Sequence, residues 1–212
     1  MFTENDVCII GLTGMSGAGK TTACEVFREC GYGVINCDTV ARIVVEKGRP
    51  ALRELEDYFG SSVILQNGEL NRKYIGNLIF SDEKARFAFN DIIYPYISYE
   101  MIMSAVEYIK MDSKYILLDA PTLFESGTDS FCDIIVSVVS DMEKCLERIM
   151  QRDKLTYEEA LNRLSSQFPP EFYKQRSDYC VENKGSVEQL KTEIKNIAVK
   201  IGEINEQKKK QD

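Results

Sequence analysis

The 212-residue chain contains no histidine. That removes histidine triads and histidine general bases, so any proton transfer falls to Asp, Glu, Lys, Tyr or Cys. Cysteine occurs seven times, at 8, 24, 30, 37, 132, 145 and 180, but never as a C-x-x-C pair. Without histidine, a structural zinc site would need four thiolates from scattered positions, so these cysteines read as small apolar side chains. No stretch approaches the roughly 18 consecutive apolar residues of a membrane span. Met1 to Asp6 is polar and acidic, unlike a secretory leader, and the expected location is the cytoplasm. Positive charge is scarce as well. Against 34 acidic residues stand 26 basic ones, and the net −8 opposes binding to nucleic acid. The one dense basic run, Lys208-Lys209-Lys210, lies in a polar tail and reads as a solvated terminus. An acidic chain that handles polyphosphate must therefore gather its few cations locally.

What is present has a clear rhythm. Apolar residues make up 44% and charged residues 28%, ordinary for a globular domain, and the length suits one α/β core with an insertion. Short apolar runs alternate with helical patterns, the signature of a parallel sheet with crossover helices. Strands are predicted at Val7–Thr13, Gly33–Asp38, Tyr115–Pro121, Ile134–Ser140 and Tyr179–Asn183. A helix is predicted from Lys20 to Cys30, where Ala23, Val26, Phe27 and Cys30 share one face. The last helix opens on the capping-box pair Ser186 and Gln189. Two regions break the rhythm. Residues 39–111 read as helix after helix, a subdomain inserted after strand two. Residues 141–178 carry capping-box patterns at Ser140/Glu143 and Thr156/Glu159 and a helix start at Pro169-Pro170, read as a helical hairpin standing off the sheet, a lid. The expected fold is thus a five-stranded parallel sheet with helices on both faces. Residues 1–38, 112–140 and 179–212 form its nucleotide-binding core.

Between the first strand and the first helix stands Gly14-Met15-Ser16-Gly17-Ala18-Gly19-Lys20-Thr21, which matches G-x-x-x-x-G-K-[ST] at every fixed position. Glycines let successive N–H groups face one concavity, and the helix N-terminus adds positive potential at the same point. Lys20 can reach β- and γ-phosphates and the Thr21 hydroxyl can hold Mg²⁺. These residues, with Thr22, are the expected ATP-binding set. A P-loop can serve a switch, a motor, a hydrolase or a kinase, but one small domain with a helical insertion and a lid fits the small-molecule kinases.

Other constellations leave alternatives open. Asp38, at the end of predicted strand two, is a candidate general base or holder of a metal-bound water, or else the N-cap of a helix beginning at Thr39. Asp119, at the end of strand three, resembles a Walker-B aspartate that meets Mg²⁺ through water, with Glu125 nearby; loop capping is the alternative for both. Arg148 and Arg152 share a helical face, with Arg163 and Arg176 further on. They suit a phosphate clamp, although Glu143, Glu147 and Asp153 could simply pair with them. Asn71-Arg72-Lys73 and the aromatics Phe87, Phe89, Tyr94, Tyr96 and Tyr99 lie in the insertion, where most such aromatics would be core.

Taken in order, these segments resemble the dephospho-coenzyme A kinases. The resemblance runs through Ile10-Gly11-Leu12-Thr13-Gly14, Val34-Ile35-Asn36-Cys37-Asp38-Thr39-Val40-Ala41 and Gly68-Glu69-Leu70-Asn71-Arg72-Lys73. It continues through Asp119-Ala120-Pro121-Thr122-Leu123-Phe124-Glu125, Leu146-Glu147-Arg148-Ile149-Met150-Gln151-Arg152-Asp153 and Ser177-Asp178-Tyr179-Cys180-Val181-Glu182-Asn183-Lys184-Gly185. It implies transfer from MgATP to the ribose 3′-hydroxyl of dephospho-CoA; a monomer or weak homo-oligomer is expected. It implies Asp38 as catalytic base beside Lys20 and Arg148, and the turn at Asn183 near the adenine. Arg72 and Tyr94 would bind the acceptor. Two departures stand out: Tyr94-Pro95 replaces a usual His-Pro, and Glu182-Asn183 a usual Asp-Asn. Another P-loop kinase, acting on a nucleoside monophosphate, is the alternative enzyme. A regulator that keeps the loop without catalysis is the alternative outside enzymes.

Overall fold

The computed structural model describes residues 7–208, with side chains described to 204. Met1 to Asp6 and Lys209-Lys210 of the basic run lie outside the described residues. The chain separates into two compact units: Met1–Ile35 with Tyr108–Asp212, and Asn36–Glu107.

The first unit is built on strands β1 (Cys8–Gly14), β2 (Gly33–Asn36), β3 (Tyr115–Asp119), β4 (Ile134–Val139) and β5 (Tyr179–Glu182), in the order β2-β3-β1-β4-β5. β1 pairs in parallel with both β3 and β4, and β4 with β5. Fully buried strands of this kind need apolar residues on both faces. Ile10 and Leu12 have no exposure, and a side chain at Gly11 would strike Leu123 and Cys132 on the opposite face. Helix α1 (Lys20–Glu29) buries Ala23, Val26 and Phe27 against Ile194, Ala198 and Ile201 of α9 (Val187–Lys208). Of these, Val26, Phe27, Ile194 and Ile201 each contribute about 1.5–3 kcal/mol relative to exposure. Tyr32, capping this layer, donates its hydroxyl to Ala198 O at 2.8 Å. Burial and the neighbouring Tyr115 push its pKa above the ordinary tyrosine range. α9 opens with the expected reciprocal bonds, Ser186 N–H to Gln189 Oε1 and Gln189 N–H to Ser186 Oγ.

Three further helices complete this unit: α6 (Met142–Asp153), α7 (Tyr157–Ser165) and α8 (Pro170–Arg176). The Thr156/Glu159 capping box forms. The one expected at Ser140 does not. Asp141 occupies the N-cap of α6, and the buried Ser140 hydroxyl instead donates to Asn183 O at 2.6 Å. Rather than standing off the sheet, α6 buries Cys145, Leu146 and Ile149 in the common core.

The second unit contains α2 (Cys37–Ile43), α3 (Pro50–Phe59), α4 (Arg72–Ser81) and most of α5 (Glu83–Lys110). It begins at Asn36 and ends at Glu107 where the sequence suggested 39–111. Pro50 takes the first position of α3, where a missing N–H costs nothing. A short bridge between Ile64 and Leu70 closes around the Asn67-Gly68 turn. Ala51, Leu52, Leu55, Val63, Leu70 and Ile75 are among the buried apolar residues of this unit. The insertion aromatics are not core: Phe87, Tyr94 and Tyr99 are exposed. No helix among the described residues is long and apolar enough to cross a membrane.

Candidate active site

β1 sits where the strand order changes direction, with β3 on one side and β4 on the other. In open parallel sheets the crevice at the carboxyl ends of such strands is where ligands bind. The loop Met15–Gly19 leaves β1 at that end and turns into α1. Its path depends on glycines at positive φ, Gly14 at the end of β1 and Gly17 and Gly19 within the loop. Gly14 has φ +141°, and a Cβ there would lie 2.1 Å from Val138 O. Gly17 has φ +77°, and a Cβ would lie 2.7 Å from Cys145 O of α6.

The loop is held from behind by side chains of distant elements. The Ser16 N–H donates to Gln167 Oε1 at 2.9 Å, Gly17 O accepts from Arg148 Nη1 at 3.0 Å, and Ala18 O accepts from Asn183 Nδ2 at 2.7 Å. Among the described residues, the amides of Gly17, Gly19, Lys20, Thr21 and Thr22 find no protein acceptor. The last three open α1, so free donors and the positive end of a helix coincide. This is an anion seat.

Lys20 is half-buried and forms an ion pair with Asp119 of β3, a buried carboxylate whose residue lies beside Leu12 in the β1–β3 register. Thr21 is exposed in the first turn of α1. The Thr21 hydroxyl and the Asp119 carboxylate are hard oxygen donors of the kind Mg²⁺ takes, one in the residue after Lys20 and the other paired with it. The donor set fits a nucleotide-borne Mg²⁺.

Of the four arginines singled out in the sequence, Arg148 alone reaches the loop. A guanidinium has five N–H donors, so four remain after the bond to Gly17 O. Arg152 instead places its fork on Asp153, at 2.7 and 2.8 Å, and Arg163 adds a bond to the same carboxylate at 2.8 Å. Arg152, then Arg163, hold the Asp153 carboxyl below its usual range. Arg176 pairs with Asp129 and lies over the Phe124 ring. Asn183, expected near an adenine, is buried and spends its amide on Ala18 O. It braces the loop. Glu125 is exposed and is one cause, after burial, of the raised Tyr173 pKa.

Asp38 does not end a strand. β2 stops at Asn36, whose side chain accepts the Thr39 N–H at 2.8 Å and caps α2. Asp38 lies in the first turn of that helix, exposed, and the capping alternative passes to Asn36. Arg72 and Lys73 open α4 and, with Val45, Lys47, Leu65 and Leu70, line a cavity of about 890 Å³ in the second unit. Tyr94 is exposed in the middle of α5, one residue before Pro95, and is not among that cavity's lining residues.

Gln167 is the functional side chain that sequence reasoning missed. It follows α7 and precedes Pro169-Pro170, and nothing in that local pattern marks it as a partner of Ser16, 151 residues away.

Comparison with known proteins agrees with the geometry. The family model described as dephospho-CoA kinase matches residues 8–189. The dephospho-CoA kinase of Bacillus licheniformis is 35% identical over 186 residues, covering 88% of this chain and 92% of that protein. That of Bacillus anthracis is 38% identical over 192 residues, covering 91% and 96%. Among solved structures, TT1252 from Thermus thermophilus superposes with a TM-score of 0.78 at 29% identity, covering 92% of this chain and 97% of that one. With a family model spanning most of its length and such relatives matched nearly end to end, the chain belongs to the dephospho-CoA kinase family.

Proposed function

We propose that this chain transfers the γ-phosphoryl group of ATP to the ribose 3′-hydroxyl of dephospho-CoA, giving coenzyme A and ADP. The observation that carries the reading is the braced anion seat, with Lys20, Asp119 and Arg148 converging on one loop within a family of that activity. The acceptor oxygen forms a bond to the γ-phosphorus as the β–γ bridging bond breaks, and the electron pair leaves on ADP.

Each residue has a task in that step. The amides of Gly17 and Gly19 to Thr22 receive the phosphate oxygens. Lys20 meets the β/γ charge, and Arg148 keeps Gly17 O while its free donors meet the transferring group. Arg152 contributes less, because Asp153 already takes its fork. Thr21 and Asp119 are the residues that would hold a nucleotide-borne Mg²⁺, which would supply neutralisation of phosphate charge. Asp38 receives the hydroxyl proton. A carboxylate is a weak base, but in a loose transition state the proton leaves late. Arg72 and Tyr94 are proposed to contact the acceptor, and Asn183 keeps the loop shaped for ATP. In this scheme residues 39–111 serve the acceptor and 141–178 act as lid, and the enzyme works in the cytoplasm as a monomer or weak homo-oligomer.

The test is a screen for acceptor-dependent ADP release with dephospho-CoA, nucleoside monophosphates and pantetheine derivatives. Dephospho-CoA should be used selectively. Preferential use of AMP or CMP would make the chain a nucleotide kinase instead.

A further inference from the structure

We infer that Gln167 is a positioning residue of the phosphate loop, holding the Ser16 peptide and so setting where the loop presents a terminal phosphate. This rests on the reading of the loop as the ATP seat. Three consecutive residues, Ser16, Gly17 and Ala18, are each tied to a remote side chain, and two of those side chains come from residues 141–178. The Ser16 bond is the one that fixes an N–H group. The Met15 N–H is committed to Val138 O and the Ala18 N–H to Met15 O, so in the leading half of the loop Gln167 decides the remaining peptide with a fixed partner.

Gln167 is built to do this. Its backbone N–H donates to Leu164 O at the end of α7. The next residue, Phe168, stacks on Phe172 of α8 with ring centroids 3.9 Å apart. The side chain therefore leaves from a platform fixed on both sides. Its oxygen must face the Ser16 N–H, so the –NH₂ group points elsewhere and remains a donor. A loop containing two glycines at positive φ has other conformations open to it, and misplacing a reacting phosphate by about 1 Å can cost ~10²-fold in rate. Arg148 grips the adjacent peptide, so α6 and the α7–α8 junction jointly set the loop.

The experiment compares the full-length chain with Gln167→Met, which keeps length but cannot accept, and Gln167→Glu, which still can. Measured are kcat and KM for ATP, ATP binding, melting temperature and hydrogen exchange at the Ser16 amide. Gln167→Met should speed Ser16 exchange and lower kcat about tenfold, the scale of one lost bond to a half-buried donor, with little change in melting. Gln167→Glu should restore Ser16 protection and most of kcat, while its charge beside the phosphates raises KM for ATP. Wild-type kcat in Gln167→Met, or equal loss of kcat in both variants, would overturn the inference. If the wild-type chain fails to use dephospho-CoA, the substrate reading falls. Gln167 is then judged on Ser16 exchange and ATP binding, where no change in Gln167→Met rejects it.

Discussion

Removing the Lys20 charge should separate two consequences that a loss-of-function variant normally confounds. Lys20 pairs with Asp119, and the two side chains retain 17% and 10% exposure. Gln and Met keep the length of a lysine stem without its charge, so Lys20→Met leaves Asp119 buried with its cation gone. Breaking a fully buried pair costs about 3–5 kcal/mol. Residual solvent access and the other interactions of Asp119 reduce that to about 2 kcal/mol here. For a chain of this size, each kcal/mol shifts the melting temperature by roughly 2–4 °C, so Lys20→Met should melt about 4–8 °C lower by circular dichroism. Adding Asp119→Asn removes the stranded charge, and the double variant should regain at least half of the loss. Phosphoryl transfer should be absent from both, because the β/γ charge loses Lys20 and Arg148 alone remains at the loop. An unchanged melting temperature in Lys20→Met would refute the structural half of this reasoning. Turnover returning in the double variant would refute the catalytic half.

Other outcomes follow from the same geometry. Asp38→Asn should lower turnover by roughly 10²–10⁴ while leaving melting and ATP affinity near wild type, since the cap of α2 is Asn36; a large loss of stability with activity retained would remove Asp38 from the chemistry. The fully buried Tyr173 hydroxyl has no hydrogen-bond partner among the described residues, and burial, then Glu125, pushes its pKa up to about 12. Tyr173→Phe should therefore melt at or above the wild-type temperature, and a fall of several degrees would show a bond not accounted for. Glu182 is held down to about 2 from 4.5 by hydrogen bonds from Lys174 and Lys184. Its folded value is depressed, so its contribution is present above about pH 4.5 and is lost as pH falls toward 2. Glu182→Gln should flatten the stability profile in that window, and an unchanged profile would place the acid sensitivity elsewhere.

Much of the fold was legible because its signals are local. Buried parallel strands are short apolar runs, and the phosphate loop is a contiguous motif whose glycines answer to backbone clashes with Val138 and Cys145. The same locality made the loop-to-helix turn legible, with Lys20 and Thr21 in the first turn of α1 as the motif requires. The sequence misled or left alternatives open where long-range partners decide. Gly33 to Asp38 reads as one strand because Val34, Ile35 and Cys37 form a short apolar run that Asp38 closes, yet the Asn36 side chain bonds the Thr39 N–H and starts a helix two residues early. Ser140 has the sequence of a cap, but a carbonyl 43 residues away takes its hydroxyl. For Arg152 and Arg163 the sequence left a phosphate clamp and pairing with Asp153 both open, and Asp153 holds both. Gln167 left no sequence trace at all, because its role exists only through contact with Ser16.

The central claim is that this chain places the γ-phosphoryl of ATP on a ribose 3′-oxygen. The most direct measurement is nuclear magnetic resonance of the product formed from ATP and dephospho-CoA, run beside the 3′-deoxy analogue. The account predicts one new phosphate monoester at the 3′ position for each ADP released, and an analogue that binds without reacting. A phosphate at any other position, or ADP release that continues undiminished with the 3′-deoxy analogue, would contradict it.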